Sequence, residues 1–291
     1  MNILEYENSQ ETKFHGHRDF PFNIYLCSIP LDFTLVPAHW HNAMEIIYIK
    51  KGRGQITVDL LPFAVSKGDI MLVLPGQLHS IQQVSDHSME YENIIFELSM
   101  LMGPWDDVCT KEFFEPLTRG KITFHNYYPA TSTQYPALAA CLDAMDEICR
   151  NFSTGYQLAI KGQLFSFFYG LACSAASPLR PQNHKSLGRL KEILKYVENS
   201  YQEKISIADA ARICGFSKSH FMKFFKKNMN ISFTGYLNNY RLTMAARLLT
   251  SSEDSVSSIA VETGFENLSY FNRMFKEKYQ CTPTQFRLKI R

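Results

Sequence analysis

No stretch of this 291-residue chain approaches the ~18 consecutive apolar residues that a membrane-spanning helix requires, which excludes such a span. The seven cysteines (Cys27, Cys109, Cys141, Cys149, Cys173, Cys214 and Cys281) are odd in number, scattered and without a C-x-x-C pair. That argues against a disulfide framework or a zinc finger and for reduced thiols in a cytoplasm. Residues Met1 to Gln10 are polar and acidic, so neither a secretory signal nor a transit peptide is expected. What remains is ordinary globular composition, 45% hydrophobic and 20% charged, at a length suited to two domains.

The net charge of +2 conceals a division. Residues 1–184 carry 12 Lys and Arg against 19 Asp and Glu, a net of −7. Residues 185–291 carry 18 against 9, a net of +9. An acidic front and a basic back imply different partners, and a basic domain is the electrostatic footprint of a polyanion binder.

The first hundred residues read as short strands, at Phe22–Ile29, Met44–Lys50, Gly54–Leu60, Asp69–Leu74 and Tyr91–Leu98. Turns such as Lys51-Gly52-Arg53-Gly54 separate several of them, and the spacing suits a sandwich or barrel. From about residue 106 the period becomes helical. Leu138, Leu142, Met145, Cys149 and Phe152 form one stripe, and Gln157 to Ala176 is more apolar still, with Leu158, Leu164, Phe165, Phe168 and Leu171. Packing on the barrel and dimerisation both account for these helices. Ser177 to Lys185, with two prolines, reads as a linker. The expected division is residues 1–105, a barrel; 106–176, a helical dimerisation segment; 177–185, a linker; and 186–291, a helical domain.

The basic half repeats itself. Ile207-Ala208-Asp209-Ala210-Ala211, Cys214-Gly215-Phe216-Ser217 and Phe221 to Lys226 match Val256 to Ala260, Thr263-Gly264-Phe265-Glu266 and Phe271 to Lys276. The offset is 49 residues up to the Gly-Phe pair and 50 beyond it. Each copy reads as helix, tight turn, helix, with glycine closing the first helix and Ser217 or Asn267 capping the second. The second helices turn phenylalanines inward. Outward they carry Lys218, Ser219, Met222, Lys223 and Lys226 in one copy, and Leu268, Ser269, Asn272, Arg273 and Lys276 in the other. Such a unit is the helix-turn-helix that places its second helix in the DNA major groove. Between the copies, Ser232 to Thr250 reads as one helix of 19 residues. It spans about 28 Å at ~1.5 Å per residue, near the ~34 Å repeat of the groove.

These paired I-A-x-x-x-G-F patterns, with the ending Phe275-Lys276 through Thr282-Pro283-Thr284-Gln285-Phe286-Arg287, resemble the AraC/XylS family of bacterial regulators over residues 186–289. The resemblance implies base reading by Ser219, Met222 and Lys223 in the first helix and by Leu268, Ser269, Asn272 and Arg273 in the second. Asn272 and Arg273 suit adenine and guanine edges, while Met222 and Leu268 suit only thymine methyl groups. Phosphate contacts fall to Lys218, Lys226, Lys227, Arg247 and Lys276.

In the acidic half, His39-Trp40-His41 precedes Glu45 and Gly52, followed by Gly68-Asp69, Pro75-Gly76 and His79. This resembles the two cupin motifs over residues 20–98, with the adjacent Pro-Gly a departure. On a strand His39 and His41 share one face. With Glu45 and His79 they form a three-histidine, one-carboxylate set suited to a divalent transition metal. Without metal the same residues would hydrogen-bond a polar effector, with Trp40, Tyr48 and Tyr91 stacking on it.

The expectation is an α+β multidomain chain: a cupin-like β-barrel with a helical dimerisation segment, then an all-α double helix-turn-helix. It would be a cytoplasmic homodimer that binds double-stranded DNA and answers to a small effector, as the resemblance implies a sugar or related carbon source. An activator would also contact RNA polymerase. The rival reading is a metal-dependent cupin enzyme with a helical appendage, and two basic reading helices argue against it.

Overall fold

The computed structural model describes residues 19–32, 34–103, 107–173 and 184–290, in two units that divide between residues 173 and 184. Most of the expected linker, Ser177 to Gln182 and Asn183, lies outside the described residues, as do Met1 to Gln10 and the 105/106 boundary.

The first unit is built on strands β1 (Phe22–Ile29), β2 (Leu35–His39), β3 (Met44–Val58), β4 (Leu61–Ser66), β5 (Ile70–Val73), β6 (His79–Gln82), β7 (Met89–Phe96) and β8 (Tyr127–Tyr128). All pairings are antiparallel. β3 joins two sheets. Its first half pairs with β5 and β7, in the order β1-β7-β3-β5-β8, and its second half pairs with β4 and β6. The register shifts just after Ile49, where the strand passes from one sheet to the other. The expected turn at Lys51 to Gly54 is therefore a bend within one strand. Lys51 stands opposite Glu90 and pairs with it at 2.8 Å.

Alternation decides what each face of the sheet meets. Met44, Ile46 and Tyr48 of β3, with Ile94 and Phe96 of β7, point away from the barrel interior. They share one core with α2 (Tyr135–Asn151) and α3 (Tyr156–Cys173), which follow the short α1 (Glu115–Thr118). Leu138, Leu142 and Met145 of α2 and Leu164, Phe168 and Leu171 of α3 are buried there. Phe152 is not part of the stripe. It is the left-handed C-cap of α2, with φ 41°, and is exposed. Leu158 is exposed as well, and Phe165 lies at the margin of the core, partly exposed with its ring 5.7 Å from that of the buried Phe114.

Among the described residues the second unit is helical: α4 (His184–Ser200), α5 (Ile207–Ile213), α6 (Lys218–Met229), α7 (Phe233–Ser251), α8 (Val256–Glu262), α9 (Leu268–Tyr279) and α10 (Pro283–Ile290). Six of these helices start on a residue whose side chain accepts a backbone N–H of the first turn: Ser206, Ser217, Ser232, Ser255, Asn267 and Thr282. Each such cap stabilises its helix by about 1 kcal/mol. Gly215 and Gly264 take φ of +63° and +85°, the left-handed turn that ends α5 and α8. α6 and α9 each bury two phenylalanines completely, Phe221 with Phe225 and Phe271 with Phe275. Truncating any of the four to alanine costs about 3–5 kcal/mol. The connector α7 meets the first pair through Phe233, whose ring centroid lies 5.2 Å from Phe221 and 5.3 Å from Phe225. It meets the second pair through Leu242, Ala245, Ala246 and Leu249.

Candidate functional site

The residues expected to face DNA form two matching surfaces. Residues 221–230 of the first helix-turn-helix and 271–280 of the second have the same order of buried, half-buried and exposed positions, residue for residue. Lys218, Ser219, Met222, Lys223 and Lys226 are exposed along one face of α6. Leu268, Ser269, Asn272, Arg273 and Lys276 are exposed along one face of α9. Lys227 is exposed too, but Arg247 is half-buried on α7 beside Met244. That placement removes Arg247 from the exposed cations available to phosphate.

Two features of these surfaces escaped the sequence reading. The Arg273 guanidinium lies over the Tyr270 ring at 5.4 Å, and the Tyr270 hydroxyl accepts a 2.8 Å bond from Asn238 of α7. Stacking of this kind restricts the arginine before any ligand arrives. In the first helix-turn-helix, His220 stacks on Phe216 at 4.2 Å and Arg189 of α4 covers the same ring at 4.6 Å. The bond from Asn238 to Tyr270 and the contact of Arg189 with Phe216 join separate segments, which no local pattern announces.

In the barrel the structure gathers the four expected ligands. His39, His41, Glu45 and His79 are all buried, with one ligating atom from each within 4.8 Å of every other. His39 ends β2, His41 follows it, Glu45 is the second residue of β3 and His79 opens β6, opposite His39 in the ladder. Each imidazole is oriented through Nδ1, which lies 2.9 Å from the Pro37 carbonyl in His39, 3.0 Å from the Ala43 carbonyl in His41 and 3.1 Å from the Gln77 carbonyl in His79. A carbonyl only accepts, so Nδ1 carries the proton. In His41 and His79 the basic Nε2 then approaches Glu45, at 2.8 Å from Oε2 in both cases. The His79 contact meets the distance of a hydrogen bond but not its geometry. A nitrogen lone pair facing a carboxylate oxygen at 2.8 Å needs a cation between them, a proton or a metal ion.

The donor set fits a metal. Imidazoles held through Nδ1 by backbone carbonyls, with Nε2 turned inward, are the usual outer support of a metal-binding histidine. Ligand atoms ~2.1 Å from one ion stand about 3 Å apart when adjacent, close to the two 2.8 Å contacts. Burial pushes the Glu45 carboxyl upward, but the imidazoles of His79 and His41 outweigh it and hold the group well below the usual carboxylate range. The carboxylate is therefore charged in a site that admits almost no water.

The loop before His79 is fastened by side chains the sequence reading did not single out. Gln77 accepts from the Leu74 backbone at 2.8 Å and from Asn126 at 2.6 Å, and donates to Asp59 at 2.9 Å. Asp59 also accepts from the Leu78 backbone at 3.0 Å. Asp69 of the second cupin-like motif has a structural part, accepting from the Ala130 backbone and the Tyr127 hydroxyl, each at 3.0 Å.

Three expected aromatic contacts are not brought to the site. Trp40 is buried, but it alternates away from His39 and His41. Tyr48 is three residues from Glu45 and points to the helical side, where its hydroxyl lies 3.2 Å from that of Tyr135. Tyr91 shares the inward face but pairs with Ile49, two inward positions from Glu45 and about 13 Å along the strand. It stands opposite Cys27 of β1, whose thiol burial pushes up to about 12.

A ligand-binding barrel and a double helix-turn-helix in one chain define a DNA-binding transcription regulator with a small-molecule domain. Residues 31–168 match the family model described as an AraC-like ligand binding domain, and residues 210–289 match one described as a helix-turn-helix domain. The chain belongs to the AraC family of transcription regulators. It is similar to the uncharacterized HTH-type transcriptional regulator YdeC of Bacillus subtilis strain 168, 22% identical and covering 98% of each chain. It is also similar to the HTH-type transcriptional activator RhaR of Mannheimia succiniciproducens, 23% identical over 86% of this chain and 87% of that one. Among solved structures, ToxT of Vibrio cholerae O395 bound to (E)-4-(8-methylnaphthalen-1-yl)but-3-enoic acid matches 93% of this chain and 99% of its own. The identity there is 15% and the TM-score 0.41.

Proposed function

We propose that this regulator reads a bipartite DNA site with α6 and α9 and answers to an effector bound in the barrel. The identical exposure pattern of the two helices carries the reading, since a helical bundle with no ligand has no need of two matched basic faces. Asn272 and Arg273 read base edges, Ser219 and Lys223 assist from α6, and Met222 and Leu268 meet thymine methyl groups. Lys218, Lys226, Lys227 and Lys276 hold phosphates.

In the barrel, His39, His41, Glu45 and His79 would hold a divalent transition metal, which when bound supplies a Lewis-acid point for an oxygen-bearing ligand. The effector would be a sugar or related carbon source, whose hydroxyl groups suit such a buried polar set. α3 supports a homodimer. Leu158, Phe165 and Tyr169 lie seven and four residues apart on its outer face, 78%, 40% and 73% exposed, an apolar stripe of the kind a second copy covers. The name of the RhaR relative supports an activator that contacts RNA polymerase in the cytoplasm.

The metal-ligand set also favours a second reading, a metal-dependent cupin enzyme with a helical appendage, which the reading helices oppose. One experiment separates them: selection of duplexes from a random pool by the full chain, with and without candidate monosaccharides. The regulator enriches sites with two contacted tracts about one helical turn apart, near the ~34 Å groove repeat, and a true effector changes the enrichment. A pool that remains random under every condition overturns the regulator reading.

A further inference from the structure

Two reading helices on one connector give a fixed site spacing only if the connector cannot twist. Three segments of the second unit meet at the middle of α7. Arg241, the ninth of its 19 residues, is half-buried. Its Nε donates to the Tyr201 carbonyl at 2.7 Å and its Nη2 to the Glu203 carbonyl at 2.6 Å. Those carbonyls belong to the segment between α4 and α5, which leads into the first helix-turn-helix. The turn of the second helix-turn-helix presses on the same spot. A Cβ at Gly264 would stand 2.6 Å from the Tyr201 carbonyl oxygen and 2.9 Å from Arg241 Cζ and Nε. The Tyr201 ring also packs edge-on against Tyr240 of α7, 5.3 Å between centroids. None of the residues placed on the DNA-facing surfaces takes part.

We propose that Arg241 is a positioning residue that locks the first reading unit, the connector and the turn of the second unit together, and so sets the spacing of the DNA site. A guanidinium suits this because its planar fork bonds two carbonyls of one segment at once, and lysine cannot reproduce that geometry. Gly264 serves the same junction from the other side, since only a residue without a side chain lets the turn approach the carbonyl so closely.

The inference rests on the reading that α6 and α9 both contact DNA, and its test keeps the two apart. The probes are a duplex enriched by the full wild-type chain from a random pool, the same duplex with one base pair inserted between its two contacted tracts, and a version with one tract scrambled. The proteins are wild type, Arg241→Lys, Arg241→Gln and Gly264→Ala, each checked for wild-type helical content.

With wild type, the insertion weakens binding about tenfold or more, a loss of ~1.4 kcal/mol. In the variants that penalty falls to about threefold or less, while affinity for the single-tract duplex stays within about twofold of wild type. A residue that merely stabilised the fold would lower affinity for all three duplexes together and leave the penalty unchanged, and that result overturns the proposal. If Arg241→Gln does not fold, Arg241→Lys and Gly264→Ala carry the comparison. If wild type itself shows no penalty, the two-reader reading fails and the proposal falls with it.

Discussion

Removing the metal, or the carboxylate that would hold it, is the sharpest test of the barrel. The four ligand groups are buried and already gathered, so an ion would bind the folded barrel and not the unfolded chain. At a free metal concentration 100 times Kd, such binding adds about 2.7 kcal/mol to stability. For a unit of about 150 residues, each kcal/mol moves Tm by roughly 2–4 °C, so the shift on chelation is about 5–11 °C. The assay is thermal unfolding of protein purified without a histidine tag, with and without chelator, beside elemental analysis. Wild type should lose that shift on chelation and regain it with zinc, manganese, iron, nickel or copper. Glu45→Gln should show a smaller shift, because three imidazoles remain but the amide brings no charge to balance the ion.

The pH dependence separates the metal from a proton as the cation between Glu45 and the imidazoles. The Glu45 carboxyl is depressed in the folded chain, so its contribution is present above the unfolded value of about 4.3 and is lost only as pH falls through the lower folded value. Glu45 itself therefore stays ionised between pH 7 and 5 in metal-free protein. The metal-bound form should lose its advantage over the same range, because protons compete with the ion for three imidazoles. Protein that contains no metal, and whose Tm responds to neither chelator nor any of these ions, would refute the metal centre.

Three further predictions concern the rest of the molecule. Arg273→Ala should cost about 1–3 kcal/mol of binding and relax sequence preference at its position, whereas Lys226→Ala should weaken all sequences alike and lower the salt slope by about 1. A uniform loss from Arg273→Ala in binding titrations would exclude base reading. Phe165→Glu with Tyr169→Glu places charge on the exposed stripe of α3 and should convert a dimer to monomers in sedimentation, while a wild type that is already monomeric refutes the interface. Iodoacetamide at pH 8 should label the exposed Cys109 and Cys173 and leave Cys27 intact, because burial keeps its thiol protonated up to about 12. Rapid labelling of native Cys27 in a peptide map would contradict that burial.

The helical unit was legible because its determinants are local. A serine or asparagine cap, a glycine at a left-handed turn and phenylalanines at helical spacing each act within a few residues, so the repeat in sequence becomes a repeat in burial. The barrel was legible only in part. β2 and β4 contain Pro37 and Pro62, β6 is the polar His-Ser-Ile-Gln, and β8 has two residues, so none carries the apolar alternation of β1. β3 read as two strands because Lys51 to Gly54 has the composition of a turn, and what continues it is pairing with Glu90 and Ser66.

The metal-ligand set was visible in its spacing, yet the aromatic partners assigned to it follow different rules. Strand parity alone excludes Tyr48 from the face of Glu45 and Trp40 from that of His39 and His41, a local signal that was there to be used. Tyr91 is different, since only the register between β3 and β7 reveals its distance. Arg241 lies beyond even that. It binds main-chain carbonyls 40 and 38 residues away, and a carbonyl is offered by every residue type. Local sequence therefore specifies what each reading helix presents, while backbone contacts between distant segments specify how far apart the two are held. A change of site spacing in such a regulator should accordingly arise at Arg241 or Gly264 with the base-contacting residues untouched.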